Sequence, residues 1–260
     1  MNFPHLPRSA WFRECWIIST RGFNVLKKET EDVWQKLRIR PELKGFVLVG
    51  GSALALQIHH RESEDLDFAW PQDKLPRVQL ELLRTNLPEI QFSTADDPIA
   101  VREADDCGVD LRDFSQAYVI DNVVKATFFV LERAERQVLS DCMGQPLQMA
   151  SLDEIFALKA LVCSKRSKSR DWFDLYILMK DYGYTFDQFH KVFVDAGAQG
   201  AYDIAAMRLC FGHPQSTDEG FKGLLANPPT IVTMNQFFAG RKNAYEQATA
   251  EREARGKLAK

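Results

Sequence analysis

Phe46-Val47-Leu48-Val49-Gly50-Gly51-Ser52, followed thirteen residues after the serine by Asp65-Leu66-Asp67-Phe68, is the stretch on which the reading of this chain turns. Residues 46–49 are short, apolar, rich in β-branched side chains and closed by two glycines, the pattern of a buried strand entering a tight turn. The following Ser52-Ala53-Leu54-Ala55-Leu56-Gln57 reads as a helix whose serine can cap the first turn. Free backbone N–H groups at that helix start would then face an anion above Gly50 and Gly51. Strand alternation puts Asp65 and Asp67 on one side and Leu66 and Phe68 on the other. Two carboxylates about 7 Å apart on one strand face can share a pair of divalent ions such as Mg2+ or Mn2+. Phosphoryl and nucleotidyl transfer use such ions to steady the attacking and leaving oxygens. Each fragment alone is common in turns and solvated loops, and the specificity lies in their order and context.

Together these residues resemble the nucleotidyltransferases of the polymerase β-like superfamily, whose pattern is Gly-Gly-Ser, a short helix and a hydrophobic-flanked Asp-x-Asp. A narrower likeness follows downstream. Lys159, Ser164 and Arg166 are similar to the lysine, Ser or Thr, arginine motif of the AbiEii/AbiGii toxin-like nucleotidyltransferases, and Arg170-Asp171 with Asp174 to that family's next signature. Ser63-Glu64-Asp65-Leu66-Asp67 fits its metal motif, so the likeness runs from about Phe46 to Tyr176. It implies an α+β fold, a mixed sheet with flanking helices, followed by a helical C-terminal domain. It also implies metal ligation by Asp65 and Asp67 and nucleotide binding by Gly50, Gly51, Ser52, Lys159, Arg166 and Asp171. Catalysis would fall to Asp65, Asp67, Lys159 and Asp174. The implied activity is transfer of a nucleoside monophosphate from an NTP to an acceptor, for example an RNA end. The implied setting is the toxin half of a bacterial toxin–antitoxin or phage-defence pair, with a cognate antitoxin as partner. Two other readings stay open: a degenerate member that binds nucleotide or a partner without turnover, and an enzyme that adenylylates a small molecule such as an antibiotic.

One departure matters. Superfamily members place a third carboxylate on a neighbouring strand, here the alternating run Val123 to Val130, which carries Thr127 at that position, with Lys125 on the same face. Asp110, in a strand-like stretch between Val109 and Leu111, could substitute, as could Asp113 or Asp121. Residues 151–163 read as a helix capped by Ser151 with Glu154 completing a capping box. Lys159 on its semi-apolar stripe either reaches phosphate, with Arg166 as a planar fork, or lays its stem along the helix. Asp171 and Asp174 share a helix face. They either complement the helix dipole, hold the lysine or arginine, or polarise an acceptor hydroxyl. Asp174, amid Trp172, Phe173, Leu175 and Ile177, calls for a partner.

The chain has 260 residues, 45% of them hydrophobic, enough for a proper core, and reads as a nucleotidyltransferase domain over 1–182 with helices over 183–260. A net charge of −3 argues against nonspecific whole-surface binding to DNA, leaving room for a local basic stripe. Five cysteines without Cys-x-x-Cys spacing, no apolar leader and no long hydrophobic span suggest a reducing cytoplasm and no membrane. His59 and His60 are expected to end the first helix after the glycine turn. Helices are also expected over Arg21 to Arg38, Lys74 to Asn86, Thr185 to Ala196, Ala201 to Phe211, from Ser216 to the Asn227-Pro228-Pro229 stop, and from Thr233 onward, with β segments between Ile90 and Glu132.

Overall fold

The computed structural model describes residues 25–93, 106–218, 220–221 and 227–258. In chain order the elements are α1 (Lys28–Leu37), β1 (Val47–Val49), α2 (Gly50–Ile58), β2 (Leu66–Trp70), α3 (Arg77–Asn86), β3 (Ile90–Phe92), β4 (Ser115–Ile120), β5 (Val124–Val130), the short α4 (Arg133–Arg136), β6 (Gln148–Met149), α5 (Leu152–Cys163), α6 (Ser169–Asp181), α7 (Phe186–Asp195), α8 (Tyr202–Phe211) and α9 (Ile231–Leu258). The six strands form one mixed sheet in the order β3-β4-β5-β2-β1-β6. β2 lies between antiparallel β1 and parallel β5, which makes it an inner strand.

Register follows from the apolar face. Leu66 and Phe68 are fully buried, and Phe68 stacks on Phe128 of β5 at 4.8 Å between ring centroids while Phe46 meets Phe128 edge-on at 5.4 Å. A slip of one residue would send these rings to the other face, so the pairing is strongly specified. That same register sets Asp67 beside Val49 on one side and Thr127 on the other. The α+β architecture, a mixed sheet with flanking helices, agrees with the sequence reading.

Helices of the second half continue the core. α5 starts at Ser151, whose hydroxyl accepts from the Glu154 amide while the Glu154 carboxylate accepts from the Ser151 amide, the expected capping box. Thr185 and Gln188 cap α7 in the same way. Phe186, Phe189 and Phe193 bury one stripe of α7, and Met234 and Phe238 bury one side of α9, in the same apolar cluster as Trp172 of α6 and the sheet. At the boundary read near 182, α6 ends and Gly183 takes the left-handed φ of +79° that turns the chain into α7.

Two local expectations differ from the structure, and a third falls partly outside the described residues. α1 begins at Lys28, and Arg21 to Asn24 lie outside the described residues. Part of the helix expected from Ser216 also lies outside them. Asp110 is not in a strand: its side chain accepts from the Arg112 amide and caps a short 3-10 turn over Leu111–Asp113. Among the described residues no helix is long and apolar enough to cross a membrane.

Candidate active site

Gly50 opens the site. Its φ of +73° is left-handed, and a Cβ there would stand 2.8 Å from Asp67 Oδ2, so both backbone and space require glycine. α2 begins at Gly50, with Val49 in the N-cap position. Ser52 is therefore the third helical residue and does not cap. Its buried hydroxyl donates to the Asp65 carbonyl and sits 2.9 Å from Ser63 Oγ, stitching the turn to the chain entering β2. Of the three residues expected to cradle phosphate, Gly50 lines the adjoining cavity; Gly51 and the Ser52 side chain do not.

That cavity, of about 530 Å³, lies between the β1-β2-β5 face of the sheet and α5 with the loop into α6. Asp65 and Asp67 line it on the sheet side; Lys159, Arg166 and Asp171 line it on the helical side. Asp67 is half-buried, and among the described residues no hydrogen bond or ion pair is made to its side chain. Burial first, and then the neighbouring Asp65 charge, push its carboxyl above the usual carboxylate range.

The opposite wall is an ionic network built on α5 and α6. Lys159, only 8% exposed, places Nζ 2.7 Å from Asp171 Oδ1 and 2.7 Å from Asp174 Oδ2. Arg166 Nε donates to Asp171 Oδ2 at 2.9 Å, while its side chain remains 46% exposed at the cavity. Arg61 donates from Nε and Nη2 to the two oxygens of Asp174 at 2.8 and 3.1 Å, and His60 Nε2 lies 2.7 Å from Asp174 Oδ1. Burial opposes every charge here. Lys159 and Arg166 nevertheless hold Asp171 below its ordinary pKa, Arg61, Lys159 and His60 hold Asp174 well below, and the carboxylates raise Lys159 in return.

Asp174 is fully buried and does not reach the cavity. Its role as a group acting on substrate is corrected accordingly: it holds the lysine, the alternative the helix spacing had left open. The candidates for a third acid are corrected as well. Asp110 pairs with Arg77 and Arg112, which hold it well below the usual range; Asp113 pairs with Lys74 and Arg77, and Asp121 with Lys36. None of the three lines the cavity, which carries Thr127 and Lys125 on β5.

Arg61 and His60 escaped the sequence reading. His59 does end α2, in the left-handed C-cap position, but His60 turns inward and stacks on Phe173 at 5.8 Å. Burial outweighs Asp174 and lowers its pKa, so the ring is neutral and donates from Nε2 to the carboxylate, while Nδ1 has no partner. A histidine whose folded pKa lies below its unfolded value of about 6.5 destabilises the fold as pH falls through that value, by at most about 1.4 kcal/mol per pH unit. Urea unfolding of His60→Gln between pH 7.5 and 5 is therefore expected to show a shallower loss of stability than wild type. Parallel pH profiles would refute the assignment.

Residues 33–237 match the family described as nucleotidyl transferase AbiEii toxin, type IV toxin–antitoxin system. A relative in Aquifex aeolicus (strain VF5), the uncharacterized protein aq_aa25, is 23% identical over 168 residues, covering 64% of this chain and 73% of that one. Among solved structures, a Helicobacter pylori protein assigned as a nucleotidyltransferase has a TM-score of 0.47 at 18% identity, covering 85% of this chain and 96% of its own. MenT4, the nucleotidyltransferase toxin Rv2826c of Mycobacterium tuberculosis H37Rv, has a TM-score of 0.42 at 14% identity, covering 75% and 76%. The family match takes in β1, the glycine turn, Asp65 just before β2, Asp67 within it and the whole Lys159–Asp174 network, and this chain belongs to the AbiEii nucleotidyltransferase toxin family.

Proposed function

We propose that the protein is a metal-dependent nucleotidyltransferase that moves a nucleoside monophosphate from an NTP to an acceptor, with RNA the favoured acceptor and pyrophosphate released. The observation that carries this reading is the facing of two carboxylates, Asp65 and Asp67, and two cations, Lys159 and Arg166, across one cavity. The donor set fits a divalent ion: a half-buried carboxylate without a protein partner, beside a second carboxylate, is stabilised by a cation in place of a proton. Mg2+ or Mn2+ held by Asp65 and Asp67 would neutralise charge on the reacting phosphate oxygens.

The chain's own groups do the rest. Lys159 presents an ammonium whose place is fixed by two carboxylates, and Arg166 keeps its terminal nitrogens for a second phosphate oxygen, because only Nε is taken by Asp171. Such charge-stabilising donors are already oriented before substrate arrives. Incubation with each labelled NTP, Mg2+ or Mn2+ and total cellular RNA tests the reading. Label in one RNA class supports it, whereas nucleotide binding with no transfer to any acceptor would favour the alternative of a protein that binds without turnover.

Thr127 is the observation behind that alternative. It pairs with Asp67 in register, where an acid would complete the ligand set, and no cluster of three metal-binding side chains occurs among the described residues. Thr127→Asp is expected to tighten Mn2+ binding roughly tenfold by adding charge to the set. Calorimetric titration checks this, and unchanged affinity would remove β5 from the metal's surroundings.

A further inference from the structure

The Arg61 guanidinium lies behind the cavity wall, 7% exposed, and its two contacts to Asp174 form a fork. Such a fork fixes the plane of a carboxylate. With that plane set, Asp174 Oδ2 points at Lys159 Nζ and Oδ1 at His60. An ammonium has three donors. Asp171 accepts one of them at 2.7 Å and Asp174 Oδ2 holds Nζ as an ion pair at 2.7 Å, so the two carboxylates fix where the ammonium sits, and Lys159 lines the cavity. Charge makes the same point. Without Arg61, Asp171 and Asp174 would cancel Lys159 and Arg166; with it, three cations face two carboxylates, His60 being neutral, and this network keeps one net positive charge.

Gly51 bears on this directly. A Cβ at residue 51 would overlap Arg61 Nη2 and stand 3.3 Å from Ser63 Oγ, and Gly51 does not line the cavity. Its φ is not left-handed, so backbone conformation does not explain the glycine.

We infer that Arg61 is a positioning residue that sets the place and charge of Lys159 through Asp174, and that Gly51 lacks a side chain to admit the Arg61 guanidinium. The inference rests on the reading that the cavity receives phosphate.

The test measures affinity for inorganic pyrophosphate with Mg2+ by calorimetry on the full chain. Arg61→Met is expected to weaken binding about ten- to a hundredfold, the range seen when an outer partner that orients a binding group is lost. Arg61→Lys, which keeps the charge and is the variant to use should Arg61→Met not fold, recovers part of the loss. Gly51→Ala weakens binding in the wild type but changes it by no more than about twofold in the Arg61→Lys background, where the crowding atom is gone. Arg61→Met is equally silent in a Lys159→Met background, which a merely structural role for Arg61 would not produce. Independent, multiplying losses in either pair overturn the inference, as does unchanged affinity in Arg61→Met while Lys159→Met weakens binding. Unchanged affinity in Lys159→Met would instead overturn the phosphate reading of the cavity.

Discussion

Replacing Asp174 by alanine is expected to cost about 3–5 kcal/mol of stability, the range for breaking a buried ion pair from one side. Asp174 is fully buried and is the shared partner of Arg61, Lys159 and His60. Its loss leaves Arg61 with a single carbonyl acceptor, that of Glu62, and Lys159 with Asp171 alone. In a chain of this size each kcal/mol shifts Tm by about 2–4 °C, so a fall of roughly 10 °C is expected in a thermal melt. The penalty comes from stranded cations, not from lost packing. Asp174→Leu combined with Arg61→Met should therefore be more stable than Asp174→Leu alone. The pH dependence has a definite sign. Asp174 has a depressed folded pKa, so its contribution is complete above the unfolded value of about 3.9 and disappears as pH falls toward the folded one. A Tm change of only a degree or two in Asp174→Ala at pH 7 would show that the network is not coupled to folding.

What the sequence makes legible is whatever local period and turn chemistry encode. The run from Phe46 to Gln57 announces strand, glycine turn and helix, and Ser151 with Glu154 announces the start of α5. The pairing of Asp67 with Thr127 is also readable, because β5 alternates from Val124 to Phe128 and only one register buries Phe68 against Phe128. Arg61 is different. Its partner lies 113 residues away on α6, and nothing in His60-Arg61-Glu62 has a period or motif chemistry that marks an inward-facing arginine. The available signal is indirect: Asp174 in apolar surroundings needs a partner, and the motif residues within reach of that reasoning are Lys159 and Arg166, not Arg61. Asp110 failed for the opposite reason. Val109 and Leu111 suggested alternation, but an aspartate two residues before a donor amide favours a capped turn, and Arg77 and Arg112 draw it to the surface. Ser52 has the side chain of a preferred N-cap, which is what its place after two glycines suggests. Gly50's left-handed φ starts α2 two residues earlier, at the edge of β1.

Asp67→Asn should separate chemistry from folding more cleanly than any other change. The substitution keeps the size that Gly50 is shaped to meet and preserves the strand between Val49 and Thr127. It removes a charge that burial and Asp65 both disfavour, so without metal the variant should melt no earlier than wild type. Wild type should gain Tm as Mn2+ is added, by the mass action of a ligand that binds only the folded state, and the variant should lose that gain. Transfer should fall by more than about 10²–10³-fold, the cost of removing a single preorganised donor, because a metal site supports several such interactions at once. Asp65→Asn should behave alike in metal response and transfer. An Asp67→Asn protein that still transfers nucleotide at near wild-type rate, or still gains Tm with Mn2+, would mean that the Asp65–Asp67 carboxylate pair is not where the reaction is assisted, and the cavity between the sheet and α5 would need another occupant.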